Sequence, residues 1–185
     1  MTLKKLTLMA ILTAIALIIF IIEAQIPLPI PVPGVKLGLA NAVTLFALFY
    51  RDKTSRGDGS PGFKRGQENR PPGSAFAILL CRIVLGAIFV GRPVALVYSL
   101  AGGGLAFAAQ VVMRRFVSDR QIWVCGAVGA VFHNVGQMAA AVIITGTPAI
   151  AAYLPILIIA GVFTGVLTGF IAQFTIKRIN DAGIV

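Results

Sequence analysis

The stretch "FHNVGQ", residues 132 to 137, sets the chain's single histidine, His133, in an apolar run, with Asn134 beside it and Gln137 one turn on. An imidazole and two carboxamides offer donors and acceptors, with no fixed charge and no strong nucleophile. On a helix, His133 and Gln137 share a face at i, i+4 spacing, as do Asn134 and Gln137 at i, i+3. Three more polar groups stand in apolar surroundings: Arg82 in "LCRIVLG", and Lys36 and Asn41 in "GVKLGLAN". This set suits binding. A guanidinium holds a carboxylate or phosphate bidentately, and amides orient what is held. The ligand that fits is a small anionic or amphipathic organic molecule.

The residue types for catalysis are missing. No acidic residues are adjacent or share an i, i+4 face, and no DDxxD-type cluster exists to hold Mg²⁺ around a diphosphate. No serine sits in a nucleophile elbow. Cys81 and Cys125 lie in apolar runs without a CxxC and, with one histidine, cannot make a four-ligand zinc site. They read as packing residues. No metal or cofactor is expected, and the chain reads as a non-enzyme. No GxxxxGK[ST] is present, so ATP hydrolysis would need partners.

The elements that position these residues follow from composition. Of 185 residues 58% are hydrophobic and 12% charged, against roughly 25% charged in a soluble domain. The expected class is an all-α integral membrane bundle, in one domain, 1–185. A span needs about 20 apolar residues. Six are expected: about Leu6–Ile22, Lys36–Tyr50, Ala75–Val90, Pro93–Met113, Ile122–Thr145 and Ile150–Ile176. The first resembles a signal peptide, but its apolar core is long and no A-x-A-like site follows, so it reads as a retained helix.

The net charge is +10. In a soluble protein that excess suggests nucleic acid. Here its distribution explains it. Lys4, Lys5, Arg51, Lys53, Arg56, Lys64, Arg65, Arg70, Arg114, Arg115, Arg120, Lys177 and Arg178 all fall on one side of the six-span layout. By the positive-inside rule both termini are cytoplasmic, in a bacterial cytoplasmic membrane, and no nucleic-acid partner is needed.

Two loops stand out. Residues 51–74, rich in Gly, Pro, Ser and charge, read as a flexible basic cytoplasmic loop. Residues 25–36, "QIPLPIPVPGVK", alternate four prolines with apolar residues on the outer side. Proline stiffens this segment, and its apolarity suits a lid folded over the bundle. In the sixth span Gly161, Gly165 and Gly169 repeat every four residues, which lets another helix approach closely. Thr164 and Thr168 flank that groove. In the first span Ala10 and Ala14 form an Ala-xxx-Ala face, fitted to internal packing or to docking on another membrane protein. Tyr98 and Tyr153 read as interfacial belt residues.

Ionisable groups at membrane depth are costly and mark function. At about 1.5 Å per residue, Arg82 and His133 fall near the midplane, with Asn41 and Gln137 further out. Four spans thus aim polar groups, with Glu23 near them, at one volume beneath the outer loop. The competing reading is interhelical glue, worth about 0.6 kcal/mol per polar contact.

"PVPGVKLGLAN" (31–41), "LCRIVLGAIFVG" (80–91), "GAVGAVFHNVGQ" (126–137) and "YLPILIIAGVFTGVLTG" (153–169) together resemble one family over nearly the whole chain. It is the Gx transporter family, also catalogued as heptaprenyl diphosphate synthase component I. That family is similar to the substrate-binding S components of energy-coupling factor (ECF) importers. The resemblance implies six helices with cytoplasmic termini and an outward pocket under a first-loop lid. It implies ligand contacts at Lys36, Asn41, Arg82, His133, Asn134 and Gln137. It implies docking through Ala10 and Ala14 on a T-type membrane subunit with two ATPases. The other catalogue name implies an accessory role beside a prenyl diphosphate synthase. The 51–74 loop is longer than the family pattern.

Overall fold

The computed structural model describes residues 3–26, 36–50, 72–91, 93–118 and 120–182. Among the described residues all regular structure is helical: α1 (Leu3–Glu23), α2 (Asn41–Phe49), α3 (Gly73–Val90), α4 (Pro93–Met113), α5 (Ile122–Thr145) and α6 (Leu154–Asp181), the last preceded by a 3₁₀ turn, Pro148–Tyr153. The helix ends follow backbone chemistry. Pro72 caps α3, Pro93 opens α4, and Gly91 and Gly146 end α3 and α5 in the left-handed conformation, at φ +65° and +63°. There a glycine costs nothing sterically, and its N–H closes the last turn.

Among the described residues, five helices are long and apolar enough to cross a membrane. The exception is α2. The expected second span, Lys36–Tyr50, is helical only from Asn41 to Phe49. Its first five residues form a non-helical strap, 36–40. Gly38 in the strap has φ +83°, which a right-handed helix cannot include. Of the expected lid, residues 27–35 lie outside the described residues, as do 51–71 of the expected cytoplasmic loop; Gly73 and Ser74 belong to α3.

Glycines set the packing of α4, α5 and α6. A Cβ on Gly165 would stand 2.6 Å from the Gly126 carbonyl oxygen, and one on Gly169 2.5 Å from the Trp123 Cα. Both neighbours are backbone and cannot yield. Gly161 lies against the Asn134 amide. Across the other face of α5, a Cβ on Gly136 would stand 2.6 Å from the Ala101 carbonyl oxygen of α4. Thr164 and Thr168 donate to carbonyls within α6, those of Ala160, Gly161 and Gly165. This is how helices associate where lipid offers no hydrophobic drive.

The other half is built around α3. Helix α1 packs on α3 and α2, and α2 reaches all of α3 to α6. An apolar core of Leu12, Ala16, Val43, Leu45, Leu48, Phe49, Ala75, Ile78, Ile122 and Ile176 joins the halves at one end. A second core holds Tyr98, Met138, Ala141 and Leu157. Tyr98 is therefore a buried residue, not a belt residue, because its place on α4 turns it toward α5 and α6. Cys125 is buried; Cys81 is exposed on the outer face of α3. The outward surface is apolar, with Ile88, Phe89, Ile143, Ile159, Phe163 and Phe174 all exposed. Such a surface suits lipid and not water.

Candidate functional site

The polar residues that apolar helices would exclude instead meet inside the bundle. Glu23, Lys36, Asn41, Arg82, His133, Asn134 and Gln137 are all buried. Glu23 comes from the end of α1, Lys36 from the strap, Asn41 from the start of α2, Arg82 from mid-α3 and the last three from α5.

Asn41 stands at the centre. Its Oδ1 accepts from Arg82 Nη2 at 3.1 Å. Its Nδ2 lies 3.0 Å from His133 Nδ1. One turn on, Gln137 Nε2 lies 2.9 Å from His133 Nε2. The Gln137 Oε1 accepts the backbone N–H of Lys36 at 2.9 Å. The Glu23 carboxylate accepts the backbone N–H of Gly38 at 2.5 Å. Two side chains from different helices thus hold the strap by its own backbone. This arrangement accounts for the short α2: those N–H groups serve the site and not a helix.

The strap fits because Gly38 has no side chain. A Cβ there would stand 2.7 Å from the Cδ2 of His133 and 3.0 Å from Asn41 Nδ2. Gly102 of α4 is thin for the same reason: a Cβ would stand 2.6 Å from Gln137 Cγ and 3.0 Å from His133 Cε1. The Lys36 ammonium lies 3.1 Å from the ring centroid of Phe20, with the Arg82 guanidinium carbon 5.9 Å from that ring. An aromatic ring within reach of both cations offsets part of their burial.

Asn134 stands apart from this group. Its Nδ2 donates to the Leu157 carbonyl of α6 at 2.6 Å, and its Oδ1 is buried without a partner. Ala10 and Ala14 lie far from the site and are exposed on α1. Between α2 and α4 to α6, a cleft bordered by Gly38, Asn41, Leu45, Gln110, Ala130 and Thr164 reaches the network at Asn41.

The sequence places Glu23 beside the polar volume but not among the ligand contacts, and it does not point to Gly38, Phe20 or Gly102. Glu23 had a signal, as the one acid at membrane depth. Phe20 and Gly102 had none, since an aromatic and a glycine are common in spans. Gly38 was hidden by the expectation of a helix from Lys36.

These features define a class: a helical membrane protein with a buried, mixed-charge polar site closed by an inter-helix strap. The model of the heptaprenyl diphosphate synthase component I family matches residues 12–55 and 71–175. The chain belongs to that family. No curated protein and no solved structure matches it.

Proposed function

We propose that this chain is the substrate-binding membrane subunit of an ECF-type importer for a small micronutrient, placed in a bacterial cytoplasmic membrane with both termini inside. The carrying observation is the strap. A segment between α1 and α2 closes over buried Arg82, Asn41, His133 and Gln137 through two side-chain-to-backbone bonds. A purely structural polar cluster does not need a non-helical segment at membrane depth; irregular backbone there belongs where it lines a site. The exposure of Ala10 and Ala14 on α1 supports the second half of the reading. Small residues turned outward leave a shallow track on which another membrane helix can seat. In this reading the chain binds and hands over, and a T-type subunit with two ATPases supplies the work.

The family's description favours a second reading, a non-catalytic membrane accessory of a prenyl diphosphate synthase. Affinity purification from the native membrane in mild detergent, with mass spectrometry of the captured proteins, separates the two. A membrane T-type protein with two ATPases is expected. Capture of a soluble prenyl diphosphate synthase alone would overturn the importer reading.

A further inference from the structure

The bonds that hold the strap leave the network one acceptor short. The contacts run in a line: Arg82, Asn41, His133, Gln137, Lys36 backbone. Both ends can only donate, a guanidinium at one and a peptide N–H at the other. Asn41 accepts from Arg82, so its NH₂ turns to one ring nitrogen of His133. Gln137 accepts from Lys36, so its NH₂ turns to the other. A neutral imidazole can accept at only one nitrogen, and an imidazolium at neither. Flipping an amide moves the clash to the donor at that end and does not remove it. One link in this line therefore has hydrogens on both sides. With Asn41 Oδ1 taken by Arg82, the Asn41 amide donates to Nδ1, the ring proton falls on Nε2, and the Gln137 amide facing it is the misfit.

Two further observations point the same way. Arg82 Nε is buried and has no partner. Among the described residues the buried groups that can carry charge are Arg82, Lys36 and Glu23, which with Glu23 ionised sum to one positive charge. Resting on the binding-subunit reading, we infer that the site takes a small organic monoanion, a single carboxylate on an uncharged, largely apolar body. Its oxygens only accept. They take hydrogens from Arg82 and from Gln137 and cancel the surplus charge. When the strap lifts, Gln137 Oε1 is released from Lys36 and turns to His133 Nε2–H, and its NH₂ is left for the ligand. A neutral amide brings donors to a site already oversupplied with them.

The test uses the purified full chain in detergent, with hexanoate and benzoate as probes and hexanamide and benzamide as matched controls. The carboxylates should raise the melting midpoint in a dose-dependent way and the amides should not. Arg82→Gln should weaken carboxylate affinity by about tenfold or more, the loss of a charge-assisted pair. A second variant guards against misfolding. Gln137→Glu puts a carboxylate in the line, accepting from both Lys36 and His133. It should melt higher than wild type without probe and no longer respond to hexanoate. Equal stabilisation by the amides, no response to either carboxylate, an undiminished response in Arg82→Gln, or a lower melting midpoint for Gln137→Glu would each overturn the inference. None of these outcomes bears on partners. Failure here leaves an importer subunit with another ligand class, and failure of the co-purification leaves the carboxylate site standing.

Discussion

Asn41 of α2 and His133 of α5 are 92 residues apart in the chain and 3.0 Å apart through Nδ2 and Nδ1. The same amide accepts from Arg82 of α3. One short side chain therefore ties three helices, and its removal strands a buried guanidinium. Asn41→Ala should lower stability by about 1–3 kcal/mol, the usual result of leaving a buried polar group unpaired. Denaturant unfolding in a fixed detergent measures this. Asn41→Asp should be milder, since a carboxylate still accepts from Arg82.

The strap should be the most substitution-sensitive backbone outside the helices. Gly38→Ala requires an L-residue at φ +83° and places a methyl group against the His133 ring. The backbone alone costs about 1–2 kcal/mol. Hydrogen exchange should show faster exchange at the Lys36 and Gly38 amides in the variant, with α4 to α6 unchanged.

The α5–α6 seam has no room for growth. Gly165→Val should destabilise by about 1–3 kcal/mol, because backbone atoms of Gly126 and Ala127 stand in the way. Gly104→Val, where a Cβ meets nothing within 4 Å, is the control and should melt near wild type.

On α1, Ala10→Trp and Ala14→Trp alter exposed positions. Both variants should fold and melt as wild type does. Uptake by cells should fall to background, and the ATPase-bearing partners should no longer co-purify. Normal transport would remove the docking role from this face.

The number of crossings is open to a direct test. Nine helical residues rise about 13.5 Å, under half of a roughly 30 Å hydrocarbon core. Only with the strap does α2 complete a crossing. Reporters fused to each end should then both read cytoplasmic. Ends on opposite sides would mean that the chain turns back at the strap.

The long helices were legible because apolar runs and turn residues act locally. The expected limits of α4 and α5, Pro93–Met113 and Ile122–Thr145, are those of the helices. Proline and glycine marked their ends without help from the rest of the fold. That Arg82, Asn41, His133 and Gln137 would gather inside the bundle was legible too, since polar side chains in apolar runs turn away from lipid. Their pairing was not. That Gln137 would take the N–H of Lys36, 101 residues away, depends on how α5 sits against a segment that propensity alone makes helical. Asn134 shows the limit from the other side. It is adjacent to His133, yet a turn of 100° sends it to α6 and away from the network. The inward side of Tyr98 was lost for the same reason: aromatic type and depth were read, but not the neighbouring helices.

Every ionised member of the site precedes its α5 partners in the chain. Glu23, Lys36 and Arg82 are all made before His133 and Gln137 exist. A lone arginine at mid-depth costs roughly 2.5–3.5 kcal/mol to insert. Asn41 and Glu23, already in the nascent bundle, supply Arg82 with an acceptor and a countercharge. The charged half of the site thus forms with one countercharge for its two cations, and the late-synthesised α5 brings only neutral members. The order of synthesis gives Arg82 its partners early and leaves one positive charge standing in the finished site.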